Sequence, residues 1–360
     1  MKRMYREIEV TVQAISFEDD HIQKLRTDKG AKQAILYKRF CSEAAVGDIV
    51  IVNVTATDLQ LGTGGWDIVV SHRHKALHWK AENEGHIMKA RYTPCQHSVQ
   101  TIESQESDFH ALFQKSFSLA GLPVFLAELH SMIPLAFSLL KVKYPKKRLC
   151  VIIDDQASLP LFISDQLREI KKTHTLITIT VGQAFGGDYE AITVASALQF
   201  AYNVLEVDCL LISVGPGVVG SGSYYGFAGM IQAHWSHIVS ALQGRPIWIP
   251  RISFIDKRSR HFGLSHHTLT TLCEFTFKPA SIPFPFMDQE KLKIIKAQLV
   301  EREPYASDHH IYFSSVRVDE WVEEALKASP LPIQSMGKTF AEDPHFFCAV
   351  AEALRFGLES

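Results

Sequence analysis

The chain reads as an α/β protein: a doubly wound parallel sheet with helices on both faces, preceded by a small β-rich, barrel-like lobe. Three observations predict this. Residues 1–75 alternate apolar and polar side chains with period two between turn-forming Gly and Asp, the pattern of half-buried strands. Beyond Gly121, apolar runs of strand length alternate with amphipathic runs of helical length, as successive βαβ units require. The third is bulk composition: 46% hydrophobic and 21% charged residues over 360 positions supply a large core divided into two or three lobes.

The β-rich lobe is read over residues 1–75 from EIEVTVQAI, KQAILYKRF, GDIVIVNVTA and WDIVVSH, with Leu61-Gly62-Thr63-Gly64-Gly65 as a turn that glycine tolerates. Residues 76–120 form a polar, His-rich connection carrying one β segment. The parallel α/β domain covers 121–290. Its strands are Pro123–Leu129, Arg148–Ile153, Leu176–Val181, Cys209–Val214 and Pro246–Ile252; its helices are Ser131–Lys141, Ser158–Lys172 capped by Ser158, Tyr189–Leu205 and Phe227–Leu242. A mostly helical extension, 291–360, adds one strand at His310–Ser314 and a last helix opened by Asp343-Pro344.

Charge and composition exclude several classes. A net charge of −2 gives no overall field to hold a polyanion, which argues against nucleic acid as a partner. No apolar run reaches the roughly 20 residues of a membrane span, and the N-terminal stretch lacks a signal-peptide core. Six scattered cysteines without a Cys-x-x-Cys pair form neither a disulfide framework nor a zinc framework, which fits a reducing cytoplasm. Self-association into a homo-oligomer stays open.

Ligands of open parallel sheets bind where loops leave the carboxyl ends of the strands. Here those loops hold His130-Ser131, Asp154-Asp155, Gly182 to Glu190, Gly215 to Phe227, and Ser265-His266-His267, whereas the opposite rim reads Tyr144-Pro145-Lys146-Lys147 and Gln243-Gly244-Arg245. This asymmetry locates the site. The Gly-rich loop suits an anion cradle, with Gln183, Gly215, Gly217, Gly220, Ser221, Gly222 and Ser223 as ligand-binding residues. Gly215-x-Gly217-x-x-Gly220 formally matches a dinucleotide fingerprint, but Pro216 interrupts it and no acidic ribose partner ends the next strand; a Walker lysine is missing too. His130, Asp188, Glu190 and His266 are the catalytic candidates, as an acid/base set or as metal ligands, since imidazole and carboxylate serve both. Adjacent residues on an extended backbone point to opposite sides, so only one of His266 and His267 is expected to face the rim.

Other groupings read as structure. Gly220-Ser221-Gly222 lacks the spacing of a nucleophile elbow. His72, His74 and His78 read as a solvated cluster, and Asp154-Asp155 as capping or exposed residues, since no phosphate loop accompanies them.

The longer motifs resemble a known family, the bacterial proteins grouped as domain of unknown function 3866. They are the Leu61 to Gly65 turn, Gly85-His86-Ile87-Met88-Lys89-Ala90-Arg91-Tyr92-Thr93-Pro94, Leu129-His130-Ser131, Val181 to Asp188, the Gly215 to Phe227 loop, Ser265-His266-His267 and Ser335-Met336-Gly337. The resemblance covers nearly the whole chain and implies a bacterial, cytoplasmic protein; it assigns no reaction. The expectation is a site for a small anionic molecule, phosphorylated ones included, with cofactor and metal open. The competing expectation is a non-catalytic scaffold that docks a partner through the β-rich lobe.

Overall fold

A computed structural model describes residues 5–61, 64–76, 85–302 and 308–359. The chain divides into two compact units, Met1–Glu84 with Thr93–Cys95, and Gly85–Tyr92 with Gln96–Ser360.

In the first unit, β1 (Glu7–Glu18), β2 (Ile22–Thr27), β3 (Gln33–Tyr37), β4 (Ile49–Asn53) and β5 (Asp67–His72) close a barrel in the order β1-β2-β3-β5-β4. Pairing is antiparallel except between β3 and β5, and a single helical turn, α1 (Thr55–Asp58), follows β4. Alternation puts Val10, Val12, Leu25, Leu36, Val50 and Val52 inside. His72 is buried here rather than solvated, its Nε2 3.0 Å from Asp48 Oδ2. His78 and the turn residues Gly62 and Thr63 lie outside the described residues.

The second unit opens with a two-stranded ribbon, β6 (Ile87–Lys89) and β7 (His97–Val99). Its core is an eight-stranded, all-parallel sheet. The strands are β8 (Pro123–Leu126), β9 (Leu149–Asp154), β10 (Ile177–Thr180), β11 (Tyr189–Glu190), β12 (Cys209–Val214) and β13 (Arg245–Trp248). Beyond a ribbon of β14 (Ile252–Ser253) and β15 (Gly263–Leu264), β16 (Ser281–Phe284) and β17 (His310–Phe313) complete the sheet in the order β11-β10-β9-β12-β8-β13-β16-β17.

Helices cover both faces. On one lie α2 (Met132–Lys143), α3 (Asp165–Thr173), α8 (Asp319–Ala328) and α9 (Pro344–Glu359), which bury Leu135, Leu139, Ile170, Val322 and Phe347. The other is covered by α4 (Val194–Asn203), α5 (Ile231–Ala241), α6 (His266–Phe275) and α7 (Gln289–Val300), which bury Phe200, Trp235, Leu272 and Ile295. The strands beneath are apolar on both sides, which explains why they read as continuous runs rather than as alternations.

Several boundaries differ from the sequence expectation. Tyr189 and Glu190 are not the start of a helix but an edge strand, and α4 begins after Thr193, whose side chain caps it. The cap of α3 is Ser164 rather than Ser158, because a 3-10 turn at Leu161–Ile163 delays the helix. β16 went unread because Pro283 and Pro285 hide it, although all four of its residues are buried.

Candidate functional site

The strand order reverses at β8. From β8 the chain passes over β12's place to β9, and from β12 it crosses β8 to reach β13. Such a switch point separates the loops of neighbouring strands and opens a crevice at their carboxyl ends. Three segments converge there: Glu128 just past β8, the Val218–Gly229 stretch past β12, and Arg251 past β13. They border a cleft of about 220 Å³, completed by Arg258, Arg260, His261, His267 and Met336.

The β14–β15 ribbon builds one wall. It folds residues 254–262 into a loop carrying Arg258, Arg260 and His261, and Ser265 N donates to Arg251 O at 2.9 Å, so α6 starts against Arg251. Ser265 caps α6, its Oγ accepting from His267 N. The same hydroxyl lies 2.8 Å from His261 Nδ1. Because His266 and His267 open a helix rather than extend a strand, their side chains diverge by about 100° instead of pointing oppositely. Both rings therefore join His261: the His266 and His267 centroids are 4.5 Å apart, and those of His261 and His267 4.8 Å. Of the adjacent pair, His267 lines the cleft, and His266 meets the group through ring contacts with His261 and His267.

Glu128 is the acidic anchor. Its Oε1 accepts from Arg251 Nη1 at 2.8 Å and from His267 Nδ1 at 2.7 Å, and its side chain is 2% exposed. Burial alone would raise this carboxyl, but Arg251 and His267 outweigh it and hold the group down at about 2. An ionised carboxylate only accepts, so the bond to Glu128 keeps a proton on His267 Nδ1, and Nε2 is the nitrogen that carries the lone pair in the neutral ring. That edge faces the Gly-rich loop, since a Cβ added to Gly220 would lie 3.9 Å from His267 Nε2. Phe227 stacks flat on His267, with centroids 3.8 Å apart and planes 2° from parallel, which fixes the ring's tilt. Burial pushes His261 down to about 3 and His266 down to about 4, with His267 adding to the effect in both and Arg251 to that in His261, so both imidazoles are neutral near pH 7. His266 Nε2 is buried with no hydrogen-bond partner.

The arginines differ in their partners. Arg251 is paired with Glu128 and Arg258 with Asp256, whereas Arg260 has no carboxylate partner among the described residues and makes only a 3.3 Å contact from Nε to His261 Nε2.

The structure separates the catalytic candidates. His130 donates Nδ1–H to Val214 O at 2.9 Å and accepts at Nε2 from Ser164 Oγ at 2.7 Å, so both ring nitrogens tie β12 to the cap of α3. Asp188 accepts from Thr178 N, Thr178 Oγ1 and Lys171 Nζ. Glu190 is buried, accepting from Gly186 N and Thr180 Oγ1 with Lys89 Nζ 3.3 Å away. Only His266 adjoins the cleft's imidazoles, through ring contacts with His261 and His267, so the four do not form one acid/base or metal set.

Of the ligand-binding candidates, Gly220 and Gly222 line the cleft. Ser221 and Ser223 bond each other at 2.8 Å and close the tight 220–227 turn onto Gly226. Gly215 packs against Ser158 O, which a Cβ would approach to 2.4 Å, and Gly217 supplies a left-handed turn with φ +91°. Gln183 donates its backbone N–H to Asp155 Oδ2 at 2.8 Å, at the end of β9. Asp154 is buried with Oδ2 2.8 Å from Trp235 Nε1, so it is neither a cap nor exposed, and burial pushes it up to about 6.

Glu128, Arg251, Arg258, Arg260 and His261 escaped the sequence reading. A signal existed for two of them: Glu128 and Arg251 are single charges at the ends of the apolar runs PVFLAEL and PIWIPR.

Fold and site together define a two-unit α/β protein, a β-barrel and a parallel-sheet unit with an Arg- and His-lined cleft at its switch point. The sequence profile of the family described as "Protein of unknown function (DUF3866)" matches residues 33–354, and the chain belongs to that family. No curated protein and no solved structure matches the chain.

Proposed function

We propose that the cleft binds a small anionic molecule, of the size of a phosphomonoester, and acts on it through the imidazole edge of His267. The observation that carries the reading is the lining: Arg251, Arg258 and Arg260 together with Gly220 and Gly222, around about 220 Å³. Paired arginines balance Glu128 and Asp256, so the uncompensated charge of Arg260 is what an oxyanion would neutralise. Glycine at 222 lets that guanidinium approach the loop, because an added Cβ would meet Arg260 Nη1 at 3.3 Å. Beside Arg251, the His267–Glu128 pair offers an imidazole nitrogen oriented by a buried carboxylate, which is what proton abstraction or a bound cation requires. Six cysteines outside any disulfide, five of them buried, fit a reducing bacterial cytoplasm as the setting. No helix among the described residues is long and apolar enough to cross a membrane.

Calorimetric titration with inorganic phosphate and with a simple phosphomonoester tests the reading. Binding that weakens at least tenfold in Arg260→Ala and is unchanged in Lys291→Ala, which lines a different cavity, is the expected result. Equal binding by wild type and Arg260→Ala would refute it.

A further inference from the structure

We infer that His261, His266 and His267 form a three-imidazole centre for a divalent borderline metal ion, zinc being the reference case, with a fourth position open to the cleft. The inference deepens the anion-site reading and rests on it only for the identity of that fourth ligand.

One nitrogen from each ring lies within 4.8 Å of the others. In a tetrahedral zinc site with bonds of about 2.0–2.1 Å, ligand nitrogens lie roughly 3.3 Å apart, so modest ring rotations close the set. Each ring has a nitrogen to give. Glu128 holds the His267 proton on Nδ1 and frees Nε2, the carboxylate–imidazole arrangement that orients metal-ligating histidines. Ser265 meets His261 at Nδ1, and His261 Nε2 is an acceptor, taking a 3.3 Å hydrogen bond from Arg260 Nε that a metal would replace. His266 Nε2 is buried without any partner, an unsatisfied atom that a metal would satisfy. Three imidazole ligands with no thiolate favour zinc, cobalt, nickel or iron over calcium or magnesium, and three protein ligands leave a position for water or an oxyanion.

The nearby arginines do not forbid a cation. Arg251 is neutralised by Glu128 and Arg258 by Asp256, while Arg260, whose Nε donates to His261 Nε2, has to swing off that nitrogen when the metal binds and is then free to meet an anionic fourth ligand. The two cysteines nearest in sequence are no competitors, because Cys209 and Cys273 are buried within the hydrophobic core; Cys95 is exposed and could scavenge metal.

The test uses the full chain, stripped with a chelator and carrying Cys95→Ser to remove the exposed thiol. Titration with zinc chloride should give one equivalent bound. His266→Asn and His267→Ala should each weaken binding more than tenfold, and Glu128→Gln by roughly ten- to a hundredfold. Cobalt substitution should give the intense visible bands of a four- or five-coordinate ion, moved by added phosphate. Far-UV circular dichroism identifies any variant that fails to fold, and His261→Gln then serves in its place. Less than one equivalent in the parent, or equal affinity in parent and folded histidine variants, overturns the metal centre. Phosphate binding by the metal-free protein, lost in Arg260→Ala, would in that event leave the anion site standing.

Discussion

Glu128 Oε1 is shared by His267 Nδ1 at 2.7 Å and Arg251 Nη1 at 2.8 Å, so one buried carboxylate oxygen joins the ends of β8 and β13 to the start of α6. Removing the carboxylate strands the Arg251 guanidinium, whose side chain is 9% exposed. Breaking a buried pair from one side costs on the order of 3–5 kcal/mol. Glu128→Ala should therefore lower the unfolding free energy by an amount in that range, read as a lower denaturant midpoint at unchanged slope. Glu128→Ala paired with Arg251→Met should recover part of the loss. A double variant no more stable than the single one would show that the pair is not the cause.

A second buried pair lies between Lys89 of β6 and Glu190 of β11. Lys89 Nζ is 3.3 Å from Glu190 Oε2 and donates to Ala184 O at 2.9 Å. Burial pushes the lysine down and the carboxyl up, so the pair stands on its mutual contact and on Gly186 N and Thr180 Oγ1. Lys89→Met should destabilise by on the order of 3 kcal/mol, and adding Glu190→Gln should restore most of it. Additive losses in a double-mutant cycle measured by urea unfolding would rule out coupling.

The fold was legible where burial dictates residue type. β9 and β12 are buried on both faces and read directly as the apolar runs RLCVII and CLLISV. β16 was not legible, because its strand character comes from its parallel neighbours β13 and β17 rather than from SIPF itself. The site was legible in location and only partly in composition. Rim loops could be named from the alternation of strand and helix, yet strand order decides which of them meet. His130 follows β8 as Glu128 does, but its ring nitrogens are spent tying β12 to the cap of α3, while Glu190 lies in edge strand β11 and is spent on Thr180 and Gly186. Adjacent histidines needed the backbone conformation, helical rather than extended, before both could be placed.

Gly229 shows how closely the loop fits the anchor. A Cβ there would lie 3.2 Å from Glu128 Cγ and 3.3 Å from Cδ and from Phe227 Cδ2. Glu128 is fixed by two partners and Phe227 by its stack on His267, so neither neighbour gives way freely. Gly229→Ala should destabilise by about 1–3 kcal/mol as overpacking does. Gly217→Ala meets no atom within 4 Å but must adopt φ +91°, and should cost about 1 kcal/mol from strain alone. Thermal unfolding of both variants separates the two mechanisms: the Gly229 change, and not the Gly217 change, should also perturb phosphate binding.

Acid should destabilise the protein well above the range in which carboxylates titrate. Burial pushes His130 down to about 4, His266 to about 4 and His261 to about 3, while in the unfolded chain each titrates near 6.5. The sign follows from linkage: between these values the unfolded chain binds protons that the folded chain refuses, so the stability present above pH ~6.5 falls as pH drops toward 4. Each such histidine contributes a slope of up to about 1.4 kcal/mol per pH unit. Glu128, held at about 2, adds its own loss only below the ordinary glutamate range near 4.3. Urea unfolding at pH 7.0, 6.0 and 5.0 should show a steady fall in stability, made shallower by His130→Asn, which removes one titrating group. If stability were flat from pH 7 to 5, or the slope were the same in His130→Asn, these imidazoles would not be held neutral by burial.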